Sequence, residues 1–122
     1  MANDFKRFAK PSVGTSTGAS ADAVYTVPAG AGSSALESIV IGITLANKTS
    51  TGVTASVFLD NEDGSNDVFI VKDATVPAGS SLEIMAGNKL VVQNDGSNAD
   101  VIRISCGTAS ALDAIVTVLE DV

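Results

Sequence analysis

Residues 37–47 read Glu37-Ser38-Ile39-Val40-Ile41-Gly42-Ile43-Thr44-Leu45-Ala46-Asn47, entered from Tyr25-Thr26-Val27-Pro28-Ala29-Gly30 through a Gly/Ser turn. Ile39, Ile41, Ile43 and Leu45 alternate with Val40, Gly42, Thr44 and Ala46. A period of two sends one set to a core and the other to the opposite face, so the stretch predicts a central β-strand. Outward from it, short apolar runs bounded by Gly, Pro, Asn, Asp and Ser predict strands at 23–27, 53–59, 68–72, 80–85, 89–93, 100–106 and 112–119. With 37–47 that makes about eight, and no segment has helix-length periodicity. The expectation is an all-β fold, an antiparallel β-sandwich with jelly-roll-like connectivity, over residues 23–122.

Composition agrees. The 122 residues are rich in Val, Ile, Leu and Ala, with four Phe, one Tyr and no Trp, and the 11 glycines serve tight turns. One domain of this length buries roughly two-thirds of its unfolded surface. No stretch approaches the roughly 20 apolar residues of a membrane span, so no membrane partner is expected. The opening Met-Ala-Asn-Asp-Phe-Lys-Arg-Phe lacks the apolar segment of a secretory signal. Cys106 is the single cysteine, read as a small buried hydrophobe in a chain assembled inside a cell.

Charge divides the chain. Residues 1–22 hold Lys6, Arg7 and Lys10 against Asp4 and Asp22, whereas residues 23–122 hold four cations against twelve carboxylates. A net charge of −7 speaks against nucleic acid, which needs a basic footprint. Residues 11–22 offer almost nothing to bury and many flexible residues. Residues 1–22 are therefore expected to form an extended N-terminal arm, a Gly/Ser/Thr tether that carries Phe5, Lys6, Arg7, Phe8 and Lys10 to a partner.

Two phrases occur twice. Thr26-Val27-Pro28-Ala29-Gly30 returns as Thr75-Val76-Pro77-Ala78-Gly79, and Asp63-Gly64-Ser65-Asn66 returns as Asp95-Gly96-Ser97-Asn98. Reused turn chemistry is the favoured account of both, because Pro pre-sets φ and Gly supplies φ > 0, and a sandwich with pseudo-equivalent halves would give the same pattern.

The chain lacks histidine, which removes the usual general base and the usual transition-metal ligand. Asp60, Glu62, Asp63 and Asp67 crowd one loop but have no aromatic beside them to stack a sugar ring for glycosidase work. The same loop misses the EF-hand register, and a hairpin reading of it is favoured over a calcium site. No catalytic residue, cofactor or metal is expected. A carbohydrate-binding module would expose aromatics, and outside the arm only Tyr25, Phe58 and Phe69 are available, all in predicted strands.

Several phrases together carry a resemblance: residues 1–8, Tyr25-Thr26-Val27-Pro28-Ala29-Gly30, Ile41-Gly42-Ile43-Thr44-Leu45-Ala46-Asn47, Val71-Lys72-Asp73, Pro77-Ala78-Gly79-Ser80-Ser81-Leu82-Glu83, Lys89-Leu90-Val91-Val92 and Val116-Thr117-Val118-Leu119-Glu120. In order and spacing they resemble small virion structural proteins of tailed bacteriophages, especially phages of marine bacteria and cyanobacteria. Where that pattern has a Glu-Ala-Gly-Asp turn before the seventh strand, this chain has Gln93-Asn94-Asp95-Gly96-Ser97-Asn98. The resemblance implies a non-enzymatic all-β subunit, assembled in the host cytoplasm and present in many copies on the virion. A capsid decoration or cement protein fits best, bound to the major capsid protein as a homo-oligomer. A neck, tail or fibre-base component among tail proteins is the alternative.

Overall fold

The structure, a computed structural model, describes residues 3–60, 67–85, 87 and 89–121. Nine strands occur among them: β1 (Asn3–Lys10), β2 (Asp22–Thr26), β3 (Leu36–Asn47), β4 (Val53–Asp60), β5 (Asp67–Val76), β6 (Ser81–Glu83), β7 (Leu90–Asn94), β8 (Val101–Cys106) and β9 (Leu112–Asp121). They form two antiparallel sheets packed as a β-sandwich. One runs β1-β9-β3, with β6 and β7 laid end to end along the far side of β3; the other runs β2-β8-β4-β5. The core lies between them, with Val40, Ile43, Leu45, Val116 and Val118 from one sheet meeting Val57, Ile102 and Ile104 from the other.

The 37–47 run is the central strand of its sheet, but its alternation breaks. Val40 pairs with Val118 and Gly42 with Thr117, which leaves Ile41 as the extra residue of a β-bulge. A bulge shifts the side-chain phase by one residue. Leu36, Ser38 and Val40 are buried before it, and Ile43, Leu45 and Asn47 after it. The expectation that Ile39, Ile41, Ile43 and Leu45 share one face is therefore corrected: the first two turn outward.

Residues 3–22 also differ from expectation. β1 is extended, but it lies along β9 of its own chain through eight register pairs, from Asn3↔Asp121 to Lys10↔Ala114, and a 3-10 turn at Gly18–Ser20 interrupts the stretch behind it. The stretch read as a tether is pinned too. Val13 is fully buried, and its N–H donates to Leu112 O at 2.8 Å; the Gly14 N–H donates to Asp22 Oδ2 at 2.7 Å, and the Cys106 N–H to Gly14 O at 3.1 Å. The physical reason is β9. Without β1 it would present a ten-residue edge of unpaired backbone groups.

The repeated Thr-Val-Pro-Ala-Gly phrase ends β2 and β5, the two edge strands of the four-stranded sheet. In both copies the valine is buried and the proline exposed, so the ring that cannot donate a ladder hydrogen bond sits where the edge strand stops. The Asp95-Gly96-Ser97-Asn98 phrase is a compact turn, in which Asp95 Oδ1 accepts from the N–H groups of Ser97 and Asn98 at 2.8 and 2.7 Å. Those bonds hold the Asp95 carboxyl below the usual carboxylate range. Most of its counterpart at 63–66, and the calcium question attached to that loop, lies outside the described residues.

Candidate interaction face

The five anchor residues expected on an arm are divided by the strand they occupy. Residues paired across a ladder point to the same face, so the register of β1 sorts them. Lys6 and Phe8 have the inward parity of their buried partners Val118 and Val116. Phe5 and Arg7, opposite Leu119 and Thr117, point outward. Lys10 ends the strand opposite the buried Ala114 and stays partly exposed.

The inward pair closes a polar bridge between the sheets. Tyr25 of β2 donates its hydroxyl proton to Glu120 Oε2 of β9 at 2.7 Å, and the Ser38 hydroxyl of β3 stands 2.8 Å from the same phenol. With the tyrosine proton committed to the carboxylate, Ser38 is the donor of that second bond. Glu120 is only 1% exposed, and Lys6 Nζ, 2.8 Å away, is the one described partner of its Oε1. Burial first, then Glu120, pushes the Tyr25 phenol well above its ordinary range, so it remains a donor. The hydrogen bond to Glu120 and the attraction of its charge hold the Lys6 ammonium above its usual value. Phe8 covers the bridge, its ring 4.8 Å from that of Tyr25. Sequence reasoning missed Glu120 and Ser38, since an acid near the end of a strand carries no signal of burial.

The outward pair begins a different feature. Phe5 pairs with Leu119, Leu119 with Ile39, and Ile39 with Val91, so four apolar side chains cross the outer face of the five-stranded sheet in one row. Phe5 is 75% exposed and Val91 60%. The neighbouring rows are Arg7–Thr117–Gly42 and Ala9–Ile115–Thr44–Glu83, with Ile115 43% exposed. Ile41 is exposed in the bulge, so four of the six large apolar side chains exposed among the described residues belong to this sheet's outer side. An antiparallel sheet with one solvated face normally alternates apolar-in with polar-out. Contiguous apolar exposure of this kind is unusual on a solvated sheet face, and covering one such side chain fully contributes about 1.5–3 kcal/mol. Arg7 lies at the β1 end of the face; Glu37 and Glu83 lie towards the β7 and β6 end. The signal in sequence was the run 39–43, apolar at both parities apart from Gly42.

The opposite sheet carries a smaller concavity of about 220 Å³, bordered by Thr15, Thr54, Ser56, Phe69, Lys72 and Asp73. Asp73 takes a left-handed φ of 51°, and its N–H donates to Ser56 Oγ at 3.0 Å, where β4 and β5 bulge against each other. Phe69 is 50% exposed, and Lys72 Nζ stands 5.4 Å from the centre of its ring, a cation–π contact. Of the other two aromatics weighed for sugar binding, Tyr25 and Phe58 are both buried. Cys106 is buried as expected. Asp60 pairs with Arg103 at 2.9 Å, and no group of three or more metal-ligating side chains occurs among the described residues.

Fold and face together define a class: an all-β sandwich with an apolar outer sheet face. No family model, curated protein or solved structure matches the chain.

Proposed function

We propose that this chain is a non-enzymatic structural subunit of a tailed-phage virion, a decoration or cement protein that stabilises the shell by adding interface area. The observation that carries the reading is the outer face of the five-stranded sheet. Its Phe5–Leu119–Ile39–Val91 row is a surface built for protein contact. Pro28 and Pro77 lie just past the ends of the two edge strands of the four-stranded sheet, a device against edge-to-edge aggregation that suits high copy number. The acidic body keeps free subunits soluble until they are placed.

Strand order supports jelly-roll connectivity. With β6 and β7 counted as one interrupted strand, one sheet pairs the first, eighth, third and sixth strands, and the other the second, seventh, fourth and fifth. Viral capsid domains are among the users of double-sheet jelly rolls, as are lectins and cupins. Of the five residues expected to anchor a free arm, Phe5 and Arg7 are the two that the fold sets on the outward sheet face, open to contact between subunits.

Peptide mass spectrometry on purified particles, with copy number taken from the intensity ratio to the major shell protein, tests the reading. A ratio on the scale of the shell lattice is expected. Absence from particles overturns the proposal, and a small multiple of the tail symmetry moves the subunit to the neck, tail or fibre base.

A further inference from the structure

We infer that the outer face of the five-stranded sheet pairs with the same face of a second copy, so that the working unit is a face-to-face dimer. This rests on the reading of that face as an interface and names its partner.

Three observations favour a second copy. The apolar row is close to palindromic across the sheet: an exposed side chain at each end, Phe5 and Val91, and a half-buried one at each inner position, Leu119 and Ile39. A two-fold axis parallel to the strands and between β9 and β3 therefore sets Phe5 opposite Val91 of the second copy and Leu119 opposite its Ile39, twice over. Isologous contacts have this self-complementary form.

Charge agrees with the same operation. Arg7, one row above Phe5 at the β1 end, is carried towards the β6 end of the second copy, within side-chain reach of the exposed Glu83. The pairing is opposite in sign and occurs on both sides of the axis.

Size agrees as well. Four strand widths by the eight residues of β1 give about 500 Å² of flat projection per copy, so about 1,000 Å² in all before side-chain relief is counted. That reaches the lower bound for a specific interface. Two such sheets pack about 10 Å apart, as the two sheets inside a sandwich do. The bulge at Ile41 is what makes the face apolar, since it directs Ile39 outward while Ile43 and Leu45 stay in the core.

Sedimentation equilibrium of the full chain at micromolar concentrations tests the inference. The expected result is a dimer. Val91→Lys, at an exposed position, is expected to weaken dimerisation at least about thirtyfold, the effect of losing a hot-spot residue. Arg7→Glu weakens it by setting like charges opposite Glu83 of the second copy, so that added salt strengthens the variant's dimer. Ile115→Lys provides an independent change on the same face should Val91→Lys not fold, as judged by far-UV circular dichroism. Val68→Lys, exposed on the other sheet, leaves the dimer intact. A monomeric wild type, or a dimer that survives both Val91→Lys and Ile115→Lys, overturns the inference. A monomer found on purified particles refutes the self-pairing alone, whereas a dimer absent from particles refutes the virion role alone.

Discussion

Replacing Tyr25 by Phe isolates the polar bridge between the sheets. The ring and its packing against Phe8 are retained, so no cavity opens and the phenolic oxygen is the only loss. That oxygen donates to the buried Glu120 carboxylate and lies within hydrogen-bond distance of Ser38. A hydrogen bond to a charged group contributes about 1.5–3 kcal/mol, and a buried hydroxyl left without its partner costs about 1 kcal/mol more. Tyr25→Phe is therefore expected to lower stability by about 2–4 kcal/mol. With a urea m-value of about 1.5 kcal/mol/M, the midpoint falls by about 1.5–2.5 M. The chain has no Trp and loses its one Tyr in this variant, so the melt is followed by far-UV circular dichroism rather than fluorescence. In a double-mutant cycle, Ser38→Ala is expected to cost less in the Tyr25→Phe background than in the wild type, because the partner is already gone. A midpoint shift below about 0.5 M, or strict additivity of the two changes, would refute the bridge as a stabilising unit.

Removing residues 1–10 is expected to destabilise the whole sandwich, because it uncovers the buried Glu120 and the β9 edge; a truncated chain with an unchanged urea midpoint would restore the free-arm reading. Gly96 holds φ at 99°, and a Cβ there would stand 2.4 Å from Ser33 O, so Gly96→Ala should cost about 1–3 kcal/mol by thermal melt. The pH dependence has two limbs. Asp95 and Asp113 are held below their ordinary 3.8, the first by backbone N–H groups and the second by Lys48 and the Ser12 N–H. Their contribution is complete above pH 3.8 and is lost as pH falls through the depressed values. Tyr25 and Lys6 are raised from 10.0 and 10.5, so their contribution is complete below those values and is lost as pH rises through the raised ones. Urea midpoints across pH should form a plateau between those limits; a maximum confined to acid pH would contradict the assignments.

Much of the fold was legible in the chain. Short apolar runs in 53–59, 100–106 and 112–119 place β4, β8 and β9, and the parities read for the first two, Val53–Ala55–Val57 and Ile102–Ile104–Cys106, are found in the core. The proline phrases mark strand ends because a ring without an N–H cannot continue a ladder. The lack of histidine, read directly, removes the usual general base and the usual transition-metal ligand.

Residues 39–45 were harder. Apolar side chains at both parities do not say where a bulge falls, and one inserted residue changes which of them face the solvent. The phase was decided by β9, whose Val118 and Thr117 pair with Val40 and Gly42 and pass Ile41 by. Residues 1–10 were similarly ambiguous, since two aromatics among charges describe a free arm and an edge strand equally well. What separates them is a partner more than a hundred residues away: the open edge of β9, and on it Glu120, a buried carboxylate that Lys6 reaches. Local sequence thus determined eight of the nine described strands and roughly where they end, because propensity and turn chemistry act over a few residues; β1 was the exception. Only the tertiary structure decided which faces those strands present, because register is set by long-range pairing. The apolar outer face exists only once β1, β9, β3 and β7 lie side by side.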